Sequence, residues 1–188
     1  MIKIPERIPQ LLFVGYRAGI HLPESSSLQV VLMAALENSP RVTPFLWFDA
    51  NAEEAVEFYL GIFSNSRRLG ELRNTGDAPG PSGGIFTVSF ELDGQRFTAL
   101  NGGPAYKFNE AVSFVVRCET QAEVDYYWEK LTDGGQEIAC GWLRDKFGLC
   151  WQVVPARIAE LLKTSKAMQA MMKMKKLDIA ELEKAAQS

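Results

Sequence analysis

The chain has 188 residues, 47% of them hydrophobic, which is enough for a sizeable core in one domain or in two small fused modules. Its formal charge of −3 offers no basic footprint, which argues against nucleic acid and anionic membrane as partners. Three cysteines, Cys118, Cys140 and Cys150, without close paired spacing fit a reducing compartment better than a disulfide framework.

Residues 1–40 stand apart. They hold four prolines, Ser25-Ser26-Ser27 and the only histidine, His21, and read as a loosely attached extension. Arg17 interrupts the first apolar segment, and no run approaches the roughly 18 residues that span a bilayer. Neither apolar stretch reads as a secretory signal, so the expected location is cytoplasmic.

Val42–Phe48 is expected to be a strand from its apolar and aromatic content. Asp49 and Asn51 then signal a helix start, with Glu54 as the partner of Asn51 in a capping box. Ala52, Ala55, Val56, Tyr59 and Phe63 follow at helical spacing. Strands are expected at 67–73, 85–92 and 95–100, with the hairpin dipeptide Asp93-Gly94 between the last two.

After a Gly- and Pro-rich connector at 101–109 the same order returns. A strand is expected over 111–117, a helix over 121–131 and a short strand over 137–140. A hairpin then pairs 141–144 with 149–154 around Asp145-Lys146-Phe147-Gly148. Val56-Glu57-Phe58-Tyr59 lines up with Val124-Asp125-Tyr126-Tyr127, so the chain carries an internal duplication. The fold class is therefore α+β, with modules at 41–100 and 111–154 inside a domain at 41–156. Each β-α-β-β-β module has one amphipathic helix, which covers one sheet face and leaves the other concave.

The last strand places Cys150, Gln152 and Val154 on one face, with Leu149, Trp151 and Val153 on the other. Residues 157–188 read as a helical tail. Its Met/Lys stretch at 166–176 should pack a methionine stripe on the domain or on a second subunit, and Asp178 should cap a last short helix.

Three segments carry a family resemblance. They are Thr43-Pro44-Phe45-Leu46-Trp47-Phe48 with Glu54–Tyr59, then Cys140-Gly141-Trp142 through Trp151-Gln152-Val153-Val154-Pro155, then Lys173–Ile179. Together they resemble PhnB-like proteins of the vicinal oxygen chelate (glyoxalase/bleomycin resistance/dioxygenase) superfamily. Some members are named 3-demethylubiquinone-9 3-methyltransferase. The resemblance implies paired modules forming a curved mixed sheet around a small-molecule cavity, and a homodimer.

The resemblance also implies where a metal would sit in metal-dependent relatives: near Thr43 or Pro44, Thr98 or Asn101, Val112 or Ser113, and Gln152. None of these is His, Asp, Glu or Cys, and neutral hydroxyls and amides offset little of the cost of stripping water from a divalent cation. The expectation is a cavity without metal or other cofactor, lined by Phe45, Trp47, Asn101, Trp142, Trp151 and Gln152.

The alternative is an enzyme acting on a small organic substrate, with Cys140 or Cys150 as its reactive thiol. That requires a nearby cation, because no histidine in the domain can serve as base. No Gly-rich strand-turn-helix motif of the dinucleotide or S-adenosylmethionine type is present, since Gly83-Gly84 precedes a strand.

Overall fold

The computed structural model describes residues 40–76 and 78–187; the N-terminal segment through residue 39, with His21, lies outside them. The first module is β1 (Phe45–Phe48), α1 (Ala52–Ile62), β2 (Ser66–Arg73), β3 (Ile85–Leu92) and β4 (Gln95–Asn101). The second is β5 (Phe114–Cys118), α2 (Gln121–Thr132), β6 (Gln136–Glu137), β7 (Trp142–Arg144) and β8 (Cys150–Pro155). The strand orders are β1-β4-β3-β2 and β5-β8-β7-β6, so the two sheets repeat one topology. In each, the first strand pairs in parallel with the last and the remaining pairs are antiparallel.

These are two open four-stranded mixed sheets, and no strand of one pairs with a strand of the other. The duplication read from the sequence is thus present strand for strand. Asp93 and Gly94 turn the β3–β4 hairpin with φ of 47° and 82°. Two consecutive left-handed residues are what an Asp-Gly pair supplies most cheaply.

Three local expectations are corrected. β1 begins at Phe45 rather than Val42, since Pro44 has no N–H for a ladder, though its carbonyl accepts from Thr98 N at 3.0 Å. β5 begins at Phe114 rather than Ala111. Asn51 does not cap α1 through its side chain, because its backbone (φ −119°, ψ 25°) is not extended. Asn101 Oδ1, at the end of β4, accepts from Ala52 N at 2.8 Å instead. At α2, Thr120 Oγ1 accepts from Glu123 N at 3.2 Å and the Glu123 carboxylate accepts from Glu119 N at 2.6 Å, a reciprocal cap.

Both helices cover the inner faces of their own sheets, and one continuous apolar core runs through both modules. Leu46, Phe90 and Ala99 from one sheet and Val116, Leu143 and Val153 from the other belong to it. With side chains alternating along each strand, Phe45, Trp47 and Thr98 are left on the outer face of the first sheet. Val115, Trp142 and Gln152 lie in one row across the outer face of the second.

The tail folds back as α3 (Ile158–Leu161), α4 (Ser165–Met171) and α5 (Ile179–Gln187). Leu161, Leu177 and Leu182 are its buried anchors, with Met171 and Met174 packed against them. Gln121 fixes the tail to the start of α2, donating to Leu177 O at 3.2 Å and accepting from Ile179 N at 2.9 Å. Asp178 caps α5 as expected, accepting from Glu181 N at 2.9 Å. Among the described residues, no helix is long and apolar enough to cross a membrane.

Candidate functional site

The outer face of the second sheet brings together two of the positions, Ser113 and Gln152, to which the family resemblance assigns metal ligands. Gln152 Nε2 donates to Ser113 Oγ at 2.8 Å. Trp142 and Val115 flank Gln152 on the neighbouring strands, β7 and β5. Val115 is 60% exposed, and Gln152, Ser113 and Trp142 are half-buried. An aliphatic side, an indole and a hydrogen-bonded amide–hydroxyl pair therefore share one accessible patch. The amide oxygen of Gln152 keeps acceptor capacity, and the Ser113 hydroxyl keeps its proton to donate.

The other sheet holds Phe45 and Trp47 on its own outer face, away from this patch. Trp47 is tightly positioned: its indole donates to Gly103 O at 2.8 Å, and Tyr106 meets it edge-on at 4.9 Å. Gly102 lies flat beneath the ring, so that a Cβ there would come within 2.3 Å of it. Beyond Trp47, a cleft of about 400 Å³ opens between the modules, with Tyr106, Phe108, Lys146 and Phe147 among its walls.

Two sequence-derived liners lie off the Gln152 patch and border other clefts, Trp151 beside Phe114 and Tyr127 and Asn101 beside Asn74 and Ile85. Trp151 is 3% exposed in the core and points opposite to Gln152, as alternation along β8 requires. Asn101 has both side-chain atoms committed, its oxygen to the start of α1 and its nitrogen to Ile85 O at 2.9 Å. Of the two candidate thiols, Cys150 is fully buried and out of a substrate's reach, whereas Cys140 is half-buried. The third thiol, Cys118, is pushed up to about 12 by burial, with Glu123 and Glu119 adding to the effect, and stays protonated.

One polar centre was not anticipated. Asp145, in the β7–β8 turn, is 3% exposed, yet its carboxylate accepts four hydrogen bonds. Tyr59 Oη and Trp151 Nε1 each donate to Oδ2 at 2.8 Å. Phe147 N and Leu149 N donate to Oδ1 at 2.9 and 3.0 Å. Burial raises the Asp145 pKa above the ordinary carboxylate range, and the four donors pull it back without winning. The Tyr59 hydroxyl is held well above its usual value by burial and by the facing carboxylate. With both carboxylate oxygens doubly hydrogen-bonded and almost no exposure, this is a clamp between α1 of one module and the hairpin of the other. It is not a reacting group.

The donor set at Ser113, Gln152, Thr98 and Asn101 does not fit a divalent metal. All four are neutral, Asn101 is already committed, and Gln152 and Ser113 bond each other. Among the described residues, no group of three or more His, Cys, Asp or Glu could hold an ion.

Residues 40–154 match the model of the family described as 3-demethylubiquinone-9 3-methyltransferase. The chain belongs to that PhnB-like family, within the vicinal oxygen chelate superfamily. Among solved structures, a PhnB protein of Bacillus cereus, titled as a 3-demethylubiquinone-9 3-methyltransferase, is 32% identical, with a TM-score of 0.57 over 62% of this chain and all of its own. Protein PA1353 of Pseudomonas aeruginosa is 22% identical, with a TM-score of 0.51 over 62% of this chain and 98% of its own, and shares the fold. The fosfomycin resistance protein FosX of Listeria monocytogenes aligns at 17% identity and a TM-score of 0.49, over 68% of this chain and 99% of its own. No curated protein matches. The PhnB-like match ends at Val154, so the tail from Pro155 onward lies beyond it.

Proposed function

We propose that this PhnB-like protein binds a small, neutral or weakly polar organic molecule without a metal ion, on the outer face that carries Gln152. The supporting observation is the Gln152–Ser113 hydrogen bond of 2.8 Å, at two of the positions to which the family resemblance assigns metal ligands. A divalent cation there would meet no compensating charge. A neutral ligand would meet an acceptor, a donor and the Trp142 and Val115 walls.

Calorimetric titration of the purified chain with nickel, manganese and zinc is expected to show no stoichiometric binding tighter than about 10 μM, roughly −7 kcal/mol. Native mass spectrometry is expected to find an organic ligand on the wild type and to lose it in Gln152→Ala. One-to-one metal binding abolished by Gln152→Ala would reverse the reading and put a metal-assisted enzyme in its place.

The same patch bears on assembly. Val115 leaves a large aliphatic side chain in water on a sheet face, and Val112, 63% exposed, extends the apolar surface toward the chain connector. We propose that a second copy covers this face and completes the pocket, consistent with the homodimer that the family resemblance implies. Light scattering should give twice the 21.0 kDa chain mass. Val115→Asp should shift it toward the monomer and remove any dependence of the melting temperature on protein concentration. A wild-type mass of one chain at micromolar concentration would reject the dimer.

A further inference from the structure

The tail junction holds a cluster of sulfur atoms that the binding face does not use. Cys140 Sγ lies 3.8 Å from Met172 Sδ. Met168 is one helical turn before Met172, the C-cap of α4, and the Met172 N–H donates to Met168 O at 3.0 Å, so the two residues share one side of that last turn. Both are exposed to a degree unusual for methionine, 42% at Met168 and 64% at Met172, while Met171 and Met174 turn inward to the tail core.

The backbone around the thiol is fixed in a costly conformation. Cys140 has φ of 55°, a left-handed value that a non-glycine residue rarely adopts. Its N–H donates to Met174 O at 2.8 Å, and the next N–H, of Gly141, donates to Lys175 O at 2.7 Å. Two main-chain bonds therefore tie the Cys140 turn to the segment that bears Met172. The thiol and thioether are held together by the fold, not by side-chain contact alone.

We propose that Cys140, Met172 and Met168 form a binding site for a single copper(I) ion. Thiol and thioether sulfur are soft ligands that select monovalent copper over hard divalent ions. Two metal–sulfur bonds of about 2.3 Å spanning the observed 3.8 Å subtend roughly 110°, close to the angle of a three-coordinate or tetrahedral ion. Met168 supplies the third sulfur from the same helix face by rotation about its flexible side chain. On binding, the Cys140 S–H loses its proton to solvent, the thiolate forms one bond to copper and each thioether donates a lone pair. No electron is transferred, so copper enters and leaves as copper(I). The site lies at the junction of β7 with the tail and shares no residue with the Gln152 face.

The test is anaerobic competition of the reduced full-length chain with copper(I) held by the colorimetric chelator bathocuproine disulfonate. The wild type is expected to withdraw one equivalent. Met172→Leu and Met168→Leu, which keep side-chain volume, should each weaken binding at least about tenfold with an unchanged melting temperature. Cys140→Ser should abolish it. The copper absorption edge of the loaded chain should show only sulfur neighbours, at about 2.3 Å. Failure of the wild type to compete, wild-type affinity in both leucine variants, or nitrogen or oxygen neighbours at the metal would each overturn the proposal.

Discussion

Asp145→Asn is expected to cost about 3 kcal/mol and roughly 10 °C of melting temperature. The amide is nearly isosteric, and its oxygen can keep the two backbone donors, Phe147 N and Leu149 N. Its NH2 group would then face the Tyr59 hydroxyl and the Trp151 indole, both of which now donate to Oδ2 at 2.8 Å. The hydroxyl can rotate to accept. The indole N–H cannot, so one buried donor is orphaned against another and two charge-assisted bonds are lost. Thermal melting at neutral pH measures this loss, and a loss under 1 kcal/mol would show that the clamp is dispensable.

The pH dependence of that difference carries a sign. Because the folded Asp145 carboxyl has a raised pKa, the folded state holds this proton more tightly than the unfolded chain does. Its contribution is therefore greatest in acid and declines as pH climbs from the ordinary value of about 4 through the raised folded value. The amide of the Asp145→Asn variant has no such titration. The stability gap between wild type and Asp145→Asn should narrow as pH rises across that window. A gap that widens with pH would mean that the four donors outweigh burial.

The clamp also marks where the sequence stopped being informative. An Asp in a four-residue hairpin turn is ordinarily a solvated turn residue, and nothing local distinguishes Asp145 from that reading. Its burial depends on Tyr59, 86 positions earlier, reaching it from another module. The cap of α1 by Asn101 is invisible for the same reason, since Asn51 is the nearer and chemically equivalent candidate.

Features set by period and short turns were readable. Asp93-Gly94, the duplicated strand order and the opposite faces of Trp151 and Gln152 follow from rules that act over a few residues. Trp151 and Gln152 cannot line the same cavity, because neighbours on a strand project to opposite faces. The Gln152–Ser113 contact was foreshadowed only as two metal-ligand positions by family resemblance. That they meet in space is a consequence of the parallel β5–β8 pairing.

Gly135→Ala should be comparably damaging, though the residue is itself exposed and its backbone is not left-handed. A Cβ there would lie 2.3 Å from Arg144 O and 3.0 Å from the backbone carbon and Cα of Asp145. These are main-chain atoms of the hairpin, so no rotamer change relieves the overlap. Either the turn after α2, held by Gly135 N donating to Thr132 O at 2.8 Å, must open, or the β7 end must move outward. Movement of β7 carries Asp145 away from Tyr59 and Trp151. A cost of about 3 kcal/mol is expected, at the upper end for overpacking.

The double variant Gly135→Ala/Asp145→Asn discriminates between the two routes. If the methyl acts by displacing Asp145, the network is already weakened and the two costs are less than additive by about 1–2 kcal/mol. If it acts only by opening the turn, they add to within about 0.5 kcal/mol. Urea unfolding of the four proteins, with equal slopes confirming the same two-state transition, gives the answer. Full additivity would sink the view that Gly135 is there to let the α2 turn seat the Asp145 hairpin.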